Sequence, residues 1–233
     1  SETLPSEFEA KLSLDIHPVL ERDLAYRAGL GWFGKNSMLI HPKQGSFLMI
    51  GALLLSKKME LSSRSVEVDH CGQCTACITA CPTLAIDPQK RTIMADKCIS
   101  TWTIELFNDQ VPPPKGMKDG GGEVFGCDIC QEVCPWNHQV EPSRAEEWLD
   151  SFSSYQINSF EELLTITNTQ FRKKFKSSAL SRIKYIDFMR NAFIVIANLG
   201  RKDLLPLVKA WKERNPEPEI IEWKRCTQKL SEN

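Results

Sequence analysis

Apolar and polar positions along this chain change their period more than once. Residues 11–15 alternate, with Leu12 and Leu14 set between Lys11, Ser13 and Asp15, the pattern of a strand ending at Asp15. From Pro18 the interval lengthens. Leu20, Leu24 and Ala28 recur at helical spacing and Gly29 supplies a stop, which predicts a helix over 18–29. Gly29, Gly31 and Gly34 then crowd a short loop whose backbone approaches something closely. Strands are expected around Met38 to His41 and Phe47 to Leu55, and the apolar run Phe47 to Ser56 reads as buried. It is shorter than the roughly 20 residues that span a bilayer, so no membrane partner is expected.

Beyond residue 57 the periodicity lapses, and short helices are expected after each Cys-Pro pair. The segment from Val111 to Gly126, with Pro112, Pro113 and Pro114 and then Gly120, Gly121 and Gly122, is a loop by composition. From Ser159 helical spacing returns in four stretches. They start near Phe160, Asn168, Leu204 and Glu217. The run Arg190 to Gly200 followed by Asp203 to Trp211 resembles one helix pair of an α-solenoid, turning at Gly200. The fold class is therefore α+β. Three parts are expected: 1–60, 61–140 and a helical 141–233.

Composition sharpens this division. Hydrophobic residues make up 42% and charged residues 25%, which excludes a disordered chain. The net charge of -1 hides an asymmetry: residues 170–233 carry 15 Lys and Arg against 7 Asp and Glu, leaving the rest acidic. A basic helical tail on an acidic module points to a polyanionic partner or to a solvated basic face.

The chemistry lies in the cysteines. Cys71, Cys74, Cys77 and Cys81-Pro82 form one run and Cys127, Cys130 and Cys134-Pro135 another, with Cys98 between them. Three thiolates at this spacing face one 4Fe-4S cube, and in bacterial two-cluster ferredoxins the Cys before Pro ligates the other cube. That crossing predicts Cys71, Cys74, Cys77 and Cys134 on one cluster and Cys81, Cys98, Cys127 and Cys130 on the other. Structural zinc sites use similar pairs but rarely three Cys followed by a Cys-Pro. A disulfide framework would suit a short secreted chain, whereas here the ninth cysteine, Cys226, lies on an amphipathic stretch and reads as a packing residue. Thiolate-bound clusters and the lack of a visible targeting segment point to the cytoplasm.

The block from Asp15 through Pro18, Glu21, Arg22, Ala25, Ala28, Gly29, Gly31, Trp32, Gly34 and Lys35 to Asn36, followed by the two cysteine runs and the Arg190 to Gly200 helix, resembles the epoxyqueuosine reductases. The resemblance covers nearly the whole chain. It implies the C-terminal part of a nitroreductase-like cobalamin-binding domain, then a two-cluster ferredoxin-like domain, then a HEAT-like tail that helps hold tRNA. It also implies roughly a hundred residues before the Asp15 block, so the chain, which begins with Ser1, looks truncated. The implied reaction reduces the epoxide of epoxyqueuosine at the tRNA wobble position to queuosine, with cobalamin reduced through the clusters and Asp15 as proton donor. By motif, Asp15, Asn36, Leu39, Ile50, Ser100 and Asp128 match cobalamin contacts. Arg172, Lys173, Lys174 and Lys176 are candidates for tRNA phosphates.

The family usually has a small residue where this chain has His17, an imidazole two positions after the acid. A low-potential donor such as ferredoxin or flavodoxin would feed the clusters, and the protein is expected to be a monomer. Two other functions share parts of the pattern. A reductive dehalogenase-like cobalamin enzyme typically brings a twin-arginine signal and a Tyr acid, neither visible here. A ferredoxin-type carrier without its own active site leaves the Asp15 block and the basic tail unexplained.

Overall fold

The computed structural model describes residues 9–14, 17–58, 65–106, 111–138, 140, 157, 159–217 and 219–232. Its strands in chain order are β1 (Ala10–Ser13), β2 (Trp32–Phe33), β3 (Leu39–Ile40), β4 (Ala52–Leu55), β5 (Ile86–Asp87) and β6 (Thr92–Ile93). The helices are α1 (Glu21–Arg27), α2 (Ala76–Ala80), α3 (Ile99–Ile104), α4 (Lys115–Gly120), α5 (Ile129–Glu132), α6 (Phe160–Thr165), α7 (Asn168–Lys174), α8 (Tyr185–Asn198), α9 (Leu205–Arg214) and α10 (Ile221–Ser231). Contacts group these into two interleaved units, one of residues 1–80, 86–93 and 129–141, the other of 81–85, 94–128 and 142–233.

In the first unit β1 pairs antiparallel with β4, Ser13 opposite Ala52, and β2 with β3, Trp32 opposite Ile40. Helix α1 ends in a Schellman motif: Gly29 adopts φ 70°, its N–H donates to Tyr26 O at 2.9 Å, and Leu30 N–H donates to Ala25 O at 3.0 Å. The stop expected at Gly29 is there, but the helix starts only at Glu21, and Leu20 and Leu24 face outward, Leu20 being 77% exposed. The run from Phe47 to Ser56 also departs from its expected burial. Only Ala52–Leu55 is strand, Phe47, Leu53 and Leu54 are exposed, and Met49 is 90% exposed. Among the described residues of this unit no second layer covers both faces of the two-stranded ribbon, so apolar residues at consecutive positions do not all turn inward. Trp32 and Phe33, expected in a loop, form a strand because the Gly34–Ser37 turn brings Met38 O to Gly34 N–H at 2.8 Å.

The cysteine-bearing helices lie ahead of the Cys-Pro pairs, not after them. Helix α2 contains Cys77 and α5 contains Cys130. Pro82 then opens a turn with Leu84 at φ 52°, and Pro135 opens a single 3-10 turn, Pro135–Asn137. Proline has no N–H for a helix running in from the N-terminal side, yet it fits a first helical position.

The second unit is helical. Ser159 caps α6 by accepting from Glu162 N–H at 3.1 Å, and Thr167 with Gln170 forms a capping box on α7. The long stretch from Asn168 to Gly200 breaks into α7, a 3-10 turn at Ala179–Arg182, and α8. Helix α8 is the axis of the core: it is buried almost all round, against Phe171, Phe175, Val208, Trp211, Cys226 and Leu230 among others. Gly200 turns at φ 62° before α9, as the helix-pair reading expected. The Val111–Gly126 segment, expected as loop, contains α4, because Pro114 serves as its N-cap and Met117 is wholly buried against Ile99, Trp102 and Ile194.

Candidate metal centre

The first cysteine set lies within one unit. Cys71, Cys74, Cys77 and Cys134 line one cavity with Lys35, Asn36, Ile40 and Trp136. Burial pushes the Cys77 thiol up, and so do the neighbouring sulfurs of Cys71, Cys134 and Cys74. Cys134 is raised by burial first, against the lowering effect of the Trp136 N–H, with Cys71 and Cys74 adding to the rise. Thiols this close cannot all ionise against each other in a half-buried site unless cationic metal compensates them. That donor chemistry fits an iron–sulfur cube.

The surrounding residues fix these cysteines. Asp69 accepts the Cys71 N–H at 2.9 Å and pairs with Arg91, whose guanidinium holds the Asp69 carboxyl down at about 2. Arg91 in turn reaches Phe33 O at 3.3 Å, and its own carbonyl accepts Ser37 Oγ at 2.8 Å. Trp32 packs edge to face on both His70 and Trp136, with the Trp32 and Trp136 centroids 4.9 Å apart, and His70 lies tilted against Trp136. Asn137 ties the other side: its Oδ1 accepts Ser46 N–H at 2.6 Å and its Nδ2 donates to Gln131 O at 2.7 Å.

Of the second set, Cys81, Cys98 and Cys127 belong to the second unit and Cys130 to the first. Cys81 Sγ accepts Ala85 N–H at 3.2 Å. Cys98 immediately precedes α3, and Thr103 of that helix receives the Gly126 N–H at 3.1 Å, which ties the segments carrying Cys98 and Cys127. Asn191 of α8 donates to Thr103 O at 3.0 Å and to Val124 O at 2.9 Å. The cysteine-bearing loops of this unit are thus hung on its helical core.

The remaining expected site residues are spread over both units. Asp15 lies outside the described residues. His17 is half-buried, and its Nδ1 is enclosed without a partner among the described residues. Asn36 is 1% exposed; its amide donates to Cys130 O at 3.1 Å and accepts Met38 N–H at 3.2 Å. Leu39 is buried in β3, and Ile50, expected on a strand, precedes β4 and is half-buried. Ser100 is half-buried in α3 and Asp128 is exposed beside Cys127, both in the second unit. Sequence reasoning passed over Lys35, Arg190, Asn191 and Gly116. For Arg190 and Asn191 the available signal was two adjacent polar residues in the middle of a largely apolar helix.

Four cysteines around one cavity are the donor set that an iron–sulfur cube takes. Residues 70–137 match the family of 4Fe-4S double cluster binding domains. The chain is also similar to curated epoxyqueuosine reductases. The chain is 42% identical over 190 residues to that of Leadbetterella byssophila, covering 81% of this chain and 60% of the relative, and 42% identical to that of Cyclobacterium marinum, covering 81% and 58%. Among solved structures it resembles an epoxyqueuosine reductase with an epoxyqueuosine-modified tRNA-Tyr stem loop, at TM-score 0.78 and 27% identity over 97% of this chain and 58% of the other. It also resembles the Bacillus subtilis epoxyqueuosine reductase with its catalytic aspartate loop swung out of the active site, at TM-score 0.77 and 26% identity over 98% and 59%. The chain spans about 60% of the length of these curated relatives.

Proposed function

We propose that the protein reduces epoxyqueuosine in tRNA to queuosine, an oxidoreduction that takes two electrons and two protons and releases water. The observation that carries this reading is the kinship over 190 residues to proteins named for that reaction, joined to four thiols on one cavity. Cys71, Cys74, Cys77 and Cys134 would hold one cluster and Cys81, Cys98, Cys127 and Cys130 the other, passing electrons singly from a low-potential donor such as ferredoxin or flavodoxin.

Cobalamin, when bound, supplies a cobalt that delivers those electrons to the epoxide. Asp15, Asn36, Leu39, Ile50, Ser100 and Asp128 would hold it. Ile50 lines an open depression whose wall mixes apolar Leu20, Phe33, Leu48 and Met49 with charged Glu21, Arg22 and Asp23, a surface that could meet both the flat face and the polar edge of a macrocycle.

Asp15 would protonate the leaving alkoxide. A free carboxylic acid near pKa 4 is ionised at neutral pH, so the role needs Asp15 shielded from water when substrate is bound. Residues 1–60 would carry the catalytic face, 61–140 the clusters and 141–233 a tRNA-binding helical part, in a cytoplasmic monomer.

The test is incubation of the protein with cobalamin, a low-potential reductant and epoxyqueuosine-containing tRNA, followed by mass analysis of the nucleosides. Queuosine is expected. Unchanged epoxyqueuosine, with both clusters loaded and cobalamin bound, refutes the reading.

A further inference from the structure

Lys35 has no part in that reaction scheme, yet it reaches straight into the first cysteine loop. Its Nζ donates to Gly72 O at 2.7 Å and to Cys74 O at 2.8 Å. Gly72 stands at φ 46°, so its carbonyl is turned by a left-handed backbone rather than by chance of a side-chain rotamer. Lys35 lines the same cavity as Cys71, Cys74, Cys77 and Cys134, and its ammonium is held on the backbone of the loop that carries two of them. The next residue, Asn36, donates to Cys130 O at 3.1 Å, so adjacent side chains of one turn hold the backbone of both cysteine runs. Trp32, just before the turn, packs with Cys71 and Cys134, and its buried Nε1–H has no partner among the described residues.

We propose that Lys35 is a positioning residue that raises the reduction potential of the cluster held by Cys71, Cys74, Cys77 and Cys134. The proposal rests on that ligand assignment. Reduction of the cluster adds one electron and breaks no bond, so its free energy follows the local field. A fixed cation at the cavity wall favours the more negative, reduced form, and cluster potentials respond to such charges and to hydrogen bonds. Two carbonyl acceptors hold the ammonium in place, which a freely moving surface lysine would not be. Lys35 is half-exposed, so water and salt screen part of the effect.

The test uses the 233-residue chain with reconstituted clusters, carrying Lys35→Arg, Lys35→Gln or Lys35→Met. Iron and sulfide are counted, and both clusters are titrated by EPR-monitored reduction. Lys35→Gln and Lys35→Met should move one of the two one-electron transitions to lower potential, a roughly three- to thirty-fold shift of its equilibrium toward the oxidised form. Lys35→Arg should stay near wild type, and added salt should narrow the gap. A purely structural clamp predicts instead that Lys35→Gln, which keeps a donor, titrates like wild type, and that result overturns the proposal even if Lys35→Met loses its cluster. Cys71→Ser is run in parallel. If its iron content equals that of wild type, the ligand assignment itself has failed, and the two failures are told apart.

Discussion

Arg190 lies over Trp102 with its guanidinium carbon 3.8 Å from the ring centroid, and its Nη2 donates to the Trp102 carbonyl at 3.2 Å. Its Nη1 donates to Leu106 O at 2.9 Å. These are carbonyls at and just past the C-terminal end of α3, which have no partner inside that helix, and a cation is well placed there. Arg190 is 1% exposed, so water cannot replace it. Arg190→Met should therefore lower stability by about 2–4 kcal/mol, a drop of roughly 5–15 °C in melting midpoint, and release iron from the cluster proposed for Cys98. An unchanged melt and iron count would show that α3 stands without it.

Gly116 of α4 marks a second support. A Cβ there would stand 2.0 Å from the carbonyl oxygen of Pro82, the residue after Cys81, and backbone cannot yield as a flexible side chain does. Gly116→Ala should displace the Cys81-Pro82 turn and cost about half the bound iron. Gly122→Ala is the matching control, since nothing among the described residues lies within 4 Å of a Cβ at that position. Equal iron in the two variants would mean that Cys81 tolerates the shift or is no ligand.

The features legible in the sequence are those decided within a few residues. Thiolate spacing around Cys71 to Cys81 follows from the size of a cube, and Gly29 stops α1 because φ 70° suits glycine. Burial is decided by what packs from afar, which is why the apolar periods at Leu20, Leu24 and Phe47 to Ser56 misled. They predicted an inward face in a unit whose core is Trp32, Ile40 and Cys134. Lys35, Gly116 and Arg190 escaped notice for the same reason. Each acts on a backbone carbonyl remote in sequence, and a carbonyl carries no residue identity to read.

Cys226 behaves as the packing residue its position on an amphipathic stretch implied. It is fully buried, and burial pushes its thiol up to about 12. The folded value lies above the ordinary unfolded one near 9, so the stabilisation from keeping the thiol neutral is complete below about pH 9 and is lost as pH rises toward 12. At pH 8 a thiol reagent should label the cysteines of the cluster-free protein and leave Cys226 untouched until denaturant is added. Labelling of all nine at one rate would contradict this.

Asp15→Asn separates proton delivery from everything else. The amide keeps the size of the side chain and cannot donate an acidic proton, so clusters and cobalamin should be retained while turnover falls about a hundredfold or more. Asp15→Glu should recover part of the loss. Full activity in the Asn variant would sink the assignment of Asp15 as the acid.

The basic end of α7 offers a test of the tRNA reading that needs no turnover. Lys174 is already paired, its Nζ 2.7 Å from Glu162 Oε1, whereas Arg172, Lys173 and Lys176 are exposed. If these three meet phosphates, each releases about one counterion on binding. The triple substitution to Gln should then weaken binding of an anticodon stem loop and flatten the plot of log affinity against log salt by about 2–3. Substituting Lys174 alone should leave that slope nearly unchanged, since its charge already faces a carboxylate. A triple variant with the wild-type slope would move the tRNA to another face.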